Sequence, residues 1–146
     1  MKLSTRGRYA TRIMVCLASR NGVARPVSRE ELARSQEISE DYAGQILMSL
    51  RRSGLIESHR GVKGGFTLAR PPEEITVADV LAVTEGPLAI APCGTERCGR
   101  HAACVARPVW EEAAQALSRV LSGTTIGSLA DKAREAQETS EPSFDI

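Results

Sequence analysis

Two capped helical segments lie almost end to end between residues 28 and 52, and their spacing restricts the fold more than any other feature of the chain. Ser28-Arg29-Glu30-Glu31 has the form of a capping box. In such a box the Ser28 hydroxyl takes the amide hydrogen of Glu31, whose carboxylate reaches back. A short helix is expected to about Gln36, with Leu32 and Ala33 turned inward. Glu37-Ile38 then makes a tight turn, and Ser39 caps a second helix running to about Arg52. In that helix Ala43, Ile46, Leu47 and Leu50 follow the i, i+3, i+4, i+7 pattern, which defines one buried stripe. Asp41, Gln45, Met48 and Arg52 lie opposite, and Gly54 ends the helix. Two short helices joined by so tight a turn, the second polar on its outer face, predict a helix-turn-helix.

The segment that follows fits this reading. Leu55-Ile56-Glu57-Ser58-His59 and Phe66-Thr67-Leu68-Ala69 flank a glycine-rich basic tip, Arg60-Gly61-Val62-Lys63-Gly64-Gly65, which predicts a hairpin. Directly after a helix-turn-helix, such a hairpin is a wing. Before the motif, Tyr9, Ile13 and Leu17 with Met14 predict a helix over residues 8–20, and Cys16 reads as a packed free thiol in or near its buried surface. After the wing, Pro71-Pro72 closes the basic half and Thr76 begins a helix from Val77 to Thr84. Pro108 suits the first turn of a longer helix reaching Ser122, and a last helix is expected from Thr125 to about Ala136.

The expected fold is therefore mainly α with a small β-wing: a winged helix-turn-helix domain plus a long dimerisation helix. Residues 1–85 form the DNA-binding domain, 86–106 a cysteine-rich loop, 107–137 the dimerisation helices and 138–146 a disordered tail. Dimerisation is expected because Val109, Trp110, Ala113, Ala114, Ala116, Leu117, Val120 and Leu121 make the long helix apolar around most of its circumference. A small domain covers that much apolar surface most easily with a second copy of itself.

Charge separates the two halves. Residues 1–70 hold 13 Lys/Arg against 6 Asp/Glu, and residues 71–146 hold 6 against 12. The basic half suits a polyanion. Only five residues are aromatic, too few for the stacking platforms of single-strand binders, so duplex DNA is the expected partner. Asp41 and Gln45 stand near the start of the second motif helix, where side chains reach base edges in a major groove. Tyr42, Arg51, Arg52, Arg60 and Lys63 are better suited to positioning on phosphates, and Ser39, at the cap, is counted with the DNA-binding residues. No run of about 20 apolar residues is available to span a membrane. Arg12 interrupts the only stretch that resembles a signal peptide, so a cytoplasmic protein is expected.

Cys93, Cys98 and Cys104 fall within twelve residues of one another. In a reducing compartment such a cluster points to metal or redox chemistry more than to a disulfide framework. The spacings are wider than the paired knuckles of structural zinc, and three thiolates suit an iron–sulfur cluster. Zinc and a thiol switch are the other readings, within a winged-helix protein-interaction module. A thiol redox enzyme lacks its Cys-x-x-Cys pair, and no catalytic constellation is present. Local candidates for a fourth ligand are Glu96 and His101.

The opening Met-Lys-Leu-Ser-Thr-Arg-Gly-Arg-Tyr-Ala, the Ile38-Ser39…Tyr42…Gln45 helix, the Arg60-Gly61…Gly64-Gly65 wing, the three-cysteine loop followed by Trp110 and the Thr125-Ile126-x-x-Leu129 segment together resemble the Rrf-two family, the IscR/NsrR regulators. The resemblance covers about residues 1–137. It implies a homodimeric repressor on a roughly palindromic operator, with a two-iron or four-iron cluster tuning DNA affinity and Cys93, Cys98 and Cys104 as its ligands. Three departures stand out. Arg107 occupies the place of the IscR histidine ligand, Arg8 and Arg12 those of the first-helix ligands of other branches, and Gly44 that of a glutamate before the recognition glutamine. Arginine stays protonated and is a poor metal ligand, so the resemblance supplies no fourth ligand here.

Overall fold

The structure, a computed structural model, describes residues 3–20, 25–87, 90–91 and 103–139. Its elements are α1 (Thr5–Ser19), α2 (Arg29–Gln36), α3 (Glu40–Arg52), strands β1 (Ile56–His59) and β2 (Gly65–Leu68), a single 3-10 turn (Pro72–Glu74), α4 (Val77–Glu85), α5 (Arg107–Gly123) and α6 (Ile126–Glu138). Each helix start has a local cause. Ser4 accepts from the Gly7 amide at 3.0 Å and begins α1 three residues ahead of the apolar pattern. Ser28 accepts from Glu31, Ser39 from Tyr42 and Thr125 from Ser128, each at 3.1 to 3.2 Å. Thr76 and Asp79 close a reciprocal capping box on α4, with bonds of 3.1 and 2.9 Å. The box expected at Ser28 is only half made, because the Glu31 carboxylate pairs with Arg20 and, at 3.7 Å, with Arg25.

The turn between α2 and α3 is as short as its residues predict. Glu37 takes the left-handed conformation, φ 55°, and its amide and that of Ile38 return to Arg34 and Ala33. This arrangement satisfies the last carbonyls of α2 while reversing the chain. α3 buries Ala43, Ile46, Leu47 and Leu50 completely. Ile46, Leu47 and Leu50 meet Ile13, Met14 and Leu17 of α1, Leu32 of α2, Leu55 and Ile56 around β1, and Val80 and Leu81 of α4 in one core.

β1 and β2 pair antiparallel, Ile56 opposite Leu68 and His59 opposite Gly65. Val27 adds a further rung beside β2 through paired backbone bonds with Phe66 of 2.9 and 2.8 Å. Gly65 permits that approach: its φ is +152°, and a Cβ there would stand 2.6 Å from the Val27 carbonyl carbon. The wing is thus fastened to the segment leading into α2 and does not hang free of it.

Within residues 107–137, expected to supply the dimerisation helices, α5 and α6 have different surroundings in the single chain. Ile126, Gly127 and Ala130 are buried, and α6 packs along α1 and the 3-10 turn. Two backbone bonds clasp its approach to that of α4: Val77 N to Thr124 O at 2.9 Å and Ile126 N to Ile75 O at 2.8 Å. The sequence pattern marks α6 as amphipathic but cannot name the surface it covers. α6 therefore completes the body that holds the helix-turn-helix. Glu138, assigned to the tail from sequence, is still helical, and residues 140–146 lie outside the described residues. α5 is the true excursion. None of its residues is buried, and Val109, Trp110 and Val120 are exposed. No helix among the described residues is long and apolar enough to cross a membrane.

Candidate nucleic-acid interface

The capped start of α3 and its buried stripe fix which side faces outward. Asp41, Gln45, Met48, Arg51 and Arg52 are all exposed, with the stripe's opposite face locked in the core. Ser39 is exposed, but its hydroxyl is engaged as the cap. Tyr42 is only half-exposed. Its ring meets the edge of Tyr9 at 6.0 Å with planes at 87°, and Arg12 lies over Tyr9 at 5.4 Å. The Tyr42 ring thus braces α3 against α1, a packing role that the sequence reading did not assign.

The wing brings Arg60 and Lys63 to the same basic half of the molecule, both exposed. Gly61, at φ +107°, and Gly64, where a Cβ would lie 2.9 Å from the Arg60 carbonyl carbon, shape the tip. His59 and Thr67 join the strands by a side-chain bond of 2.8 Å between Nε2 and Oγ1. An outward polar helix beside a basic loop has the charge and shape to seat a duplex backbone on either side of a groove.

Sequence reasoning missed two arginines. Arg6 of α1 donates through Nη2 to the Ser49 hydroxyl on α3, which itself donates to the Gln45 carbonyl at 3.2 Å. Arg29 of α2 pairs with Glu40 at the start of α3 at 3.3 Å. Both add positive charge to the flanks of α3. Neither carries a local signal, since each contact joins two helices.

Of the three cysteines, Cys93 and Cys98 lie outside the described residues, as do Glu96 and His101. Cys104 is a free, half-buried thiol residue just ahead of α5, and its carbonyl accepts from the Arg107 amide at 3.3 Å. Among the described residues no group of three or more His, Cys, Asp or Glu is arranged to hold a metal ion. Arg107 pairs with Glu111 at 3.5 Å, and Arg8 donates to the Thr5 hydroxyl at 3.3 Å. Cys16 is a free thiol, half-buried, 3.4 Å from the Ser35 hydroxyl.

Known proteins share this arrangement. A family model described as "Rrf2: Iron-dependent Transcriptional regulator" matches residues 3–132. The protein rrf2 of Nitratidesulfovibrio vulgaris is 41% identical over 131 residues, spanning 88% of this chain and 87% of that protein. The structure of CymR, the global cysteine regulator of Bacillus subtilis, superposes with a TM-score of 0.79 at 34% identity, covering 90% of this chain and 98% of its own. IscR of T. potens gives 0.76 at 35% identity, covering 94% and 91%. The mainly helical body and two-stranded wing correspond to those structures, and the relatives are transcriptional regulators rather than enzymes. With its helix-turn-helix, its wing and most of its length shared with these proteins, this chain belongs to the Rrf2 family of DNA-binding transcriptional regulators.

Proposed function

We propose that this regulator acts in the cytoplasm as a homodimeric repressor, binding a roughly palindromic double-stranded operator with an affinity set by an iron–sulfur cluster on Cys93, Cys98 and Cys104. In the complex the start of α3 enters the major groove, Asp41 and Gln45 address base edges, and Arg51, Arg52, Arg60 and Lys63 hold phosphates. Ser39 and Tyr42 set the angle of α3 through its cap and its brace on Tyr9.

One observation carries the sensing part. Cys104 stands at the root of α5, and the far end of α5 is bonded through Thr124 to the start of α4. A change at the thiolates thus has a continuous path into the body that holds α3. The donor set is consistent with the group: three cysteines suit iron, and the family is described as one of iron-dependent regulators. Arg8, Arg12 and Arg107 offer no fourth ligand, so the protein's own set is incomplete unless a residue such as Glu96 or His101 completes it. A cluster, two-iron or four-iron, would supply redox and iron-responsive chemistry, and an incomplete protein set makes it labile. The exposed apolar residues of α5, Val109, Trp110 and Val120, support pairing with a second copy.

Anaerobic purification with iron and sulfide quantification, followed by operator titration of the cluster-loaded and stripped forms, tests the reading. A brown protein whose colour is lost in Cys104→Ser, and two forms that differ in operator affinity, are expected. Colourless protein carrying stoichiometric zinc, or equal affinity of both forms, would overturn it.

A further inference from the structure

Arg29 is the first residue of α2, yet its side chain crosses to α3. Its Nε and Nη2 each lie 3.3 Å from Oε2 of Glu40, the first residue of α3. One turn further along α3 is Gly44, and the side chain of Arg29 passes beside it. A Cβ at position 44 would stand 3.5 Å from the Arg29 Cδ and 3.7 Å from its Nη1. Those are ordinary contact distances, so a methyl group would fit and only a longer side chain at position 44 would compete with the guanidinium for space. On the helix surface the neighbours of residue 44 at i−3, i−4 and i+4 are Asp41, Glu40 and Met48, all exposed. Arg29 is therefore delivered to the margin of the outward face that also bears Gln45.

The pair is half-exposed, 53% for Arg29 and 49% for Glu40, and such surface pairs add little to stability. What it does add is orientation. A guanidinium offers donors along more than one edge. Glu40 occupies the edge formed by Nε and Nη2, and among the described residues the outer edge, Nη1 with Nη2, has no protein acceptor. That outer edge matches two coplanar acceptors, the pattern that guanine presents in the major groove through O6 and N7.

We propose that Arg29 is a specificity-determining residue that reads a guanine in each operator half-site, with Glu40 as its positioning residue. The assignment rests on α3 entering the major groove. Selection of bound duplexes from a library with a randomised core, using the full chain, tests that premise first. The selected sequences then carry a guanine at one symmetric position, beside the position governed by Gln45. Replacing this guanine with 7-deazaguanine, which lacks the N7 acceptor, weakens binding by roughly ten-fold or more. Arg29→Ala removes the preference at that position alone, by roughly ten- to a hundred-fold, and keeps the preference governed by Gln45. Arg29→Lys retains the charge without the two-pronged edge and recovers little of the discrimination. Uniform weakening on every duplex, with the salt slope falling by about one, would make Arg29 a phosphate contact and overturn the proposal. Unchanged selectivity in Arg29→Ala would overturn it too. If the unaltered chain selects no sequence at all, the groove reading itself fails and the assignment with it.

Discussion

The docking of α6 onto the reading body can be tested through Ile126. Its side chain is fully buried, and its amide is held by the Ile75 carbonyl at 2.8 Å. Ile126→Ala removes buried methyl and methylene groups but keeps that backbone bond, so the first turn of α6 cannot slide inward to fill the space. Burial of this kind costs about 2–5 kcal/mol on truncation, and a site that cannot collapse belongs in the upper half, about 3.5–5 kcal/mol. At about 3–5 °C per kcal/mol for a domain of this size, the melting temperature falls by roughly 10–25 °C. The assay is urea denaturation followed by far-ultraviolet circular dichroism at a fixed protomer concentration, because dimer formation makes apparent stability depend on concentration. Lys132→Ala, at an exposed position of α6, is the control and stays within about 0.5 kcal/mol. A loss below about 1 kcal/mol at Ile126, or a separate early transition that melts the C-terminal helices while the rest stays folded, would refute the reasoning.

Gly65→Ala forces a Cβ against the Val27 carbonyl at a φ of +152°, so it should cost about 2 kcal/mol or more and weaken operator binding beyond that loss. Denaturation and titration of the same preparation separate the two effects. Arg60→Ala with Lys63→Ala should lower the slope of log affinity against log salt by about two, with sequence preference unchanged. Gln45→Ala should relax preference at one base position by about 1–3 kcal/mol, read from single-base operator variants. Trp110→Glu, on a helix with no buried residue in the single chain, should leave helicity intact while shifting sedimentation to the monomer.

Much of the reading head was legible because its signals are local. Ser39, the stripe from Ala43 to Leu50 and the glycines at 61, 64 and 65 each declare their conformation within a few residues. The same kind of signal failed at the first helix. Thr5, Arg6 and Gly7 carry no apolar side chain to register the helical period, yet Ser4 caps them and Gly7 is buried beside Leu81 of α4. Long-range partners were not legible at all. Ile126 and Ala130 announce an amphipathic helix, but α1 as the surface they cover lies more than a hundred residues away in the chain. Arg6 and Arg29 reveal themselves only once two helices are set side by side, for the same reason. Tyr42 was legible as polar-tipped and outward, but its ring turned out to serve packing.

The pairing of the first helix with the last has a consequence for biogenesis. A ribosome makes α1 more than a hundred residues before α6, so the apolar flank of α1 that α6 covers must wait, uncovered, while the elements between them are made. Domains still lacking a piece expose sticky surface and are prone to aggregate. Prematurely terminated products that stop before residue 126 would carry every side chain proposed to contact DNA and still lack a shielded α1. Such fragments are candidates for proteolysis rather than for competition with the intact regulator at its operators.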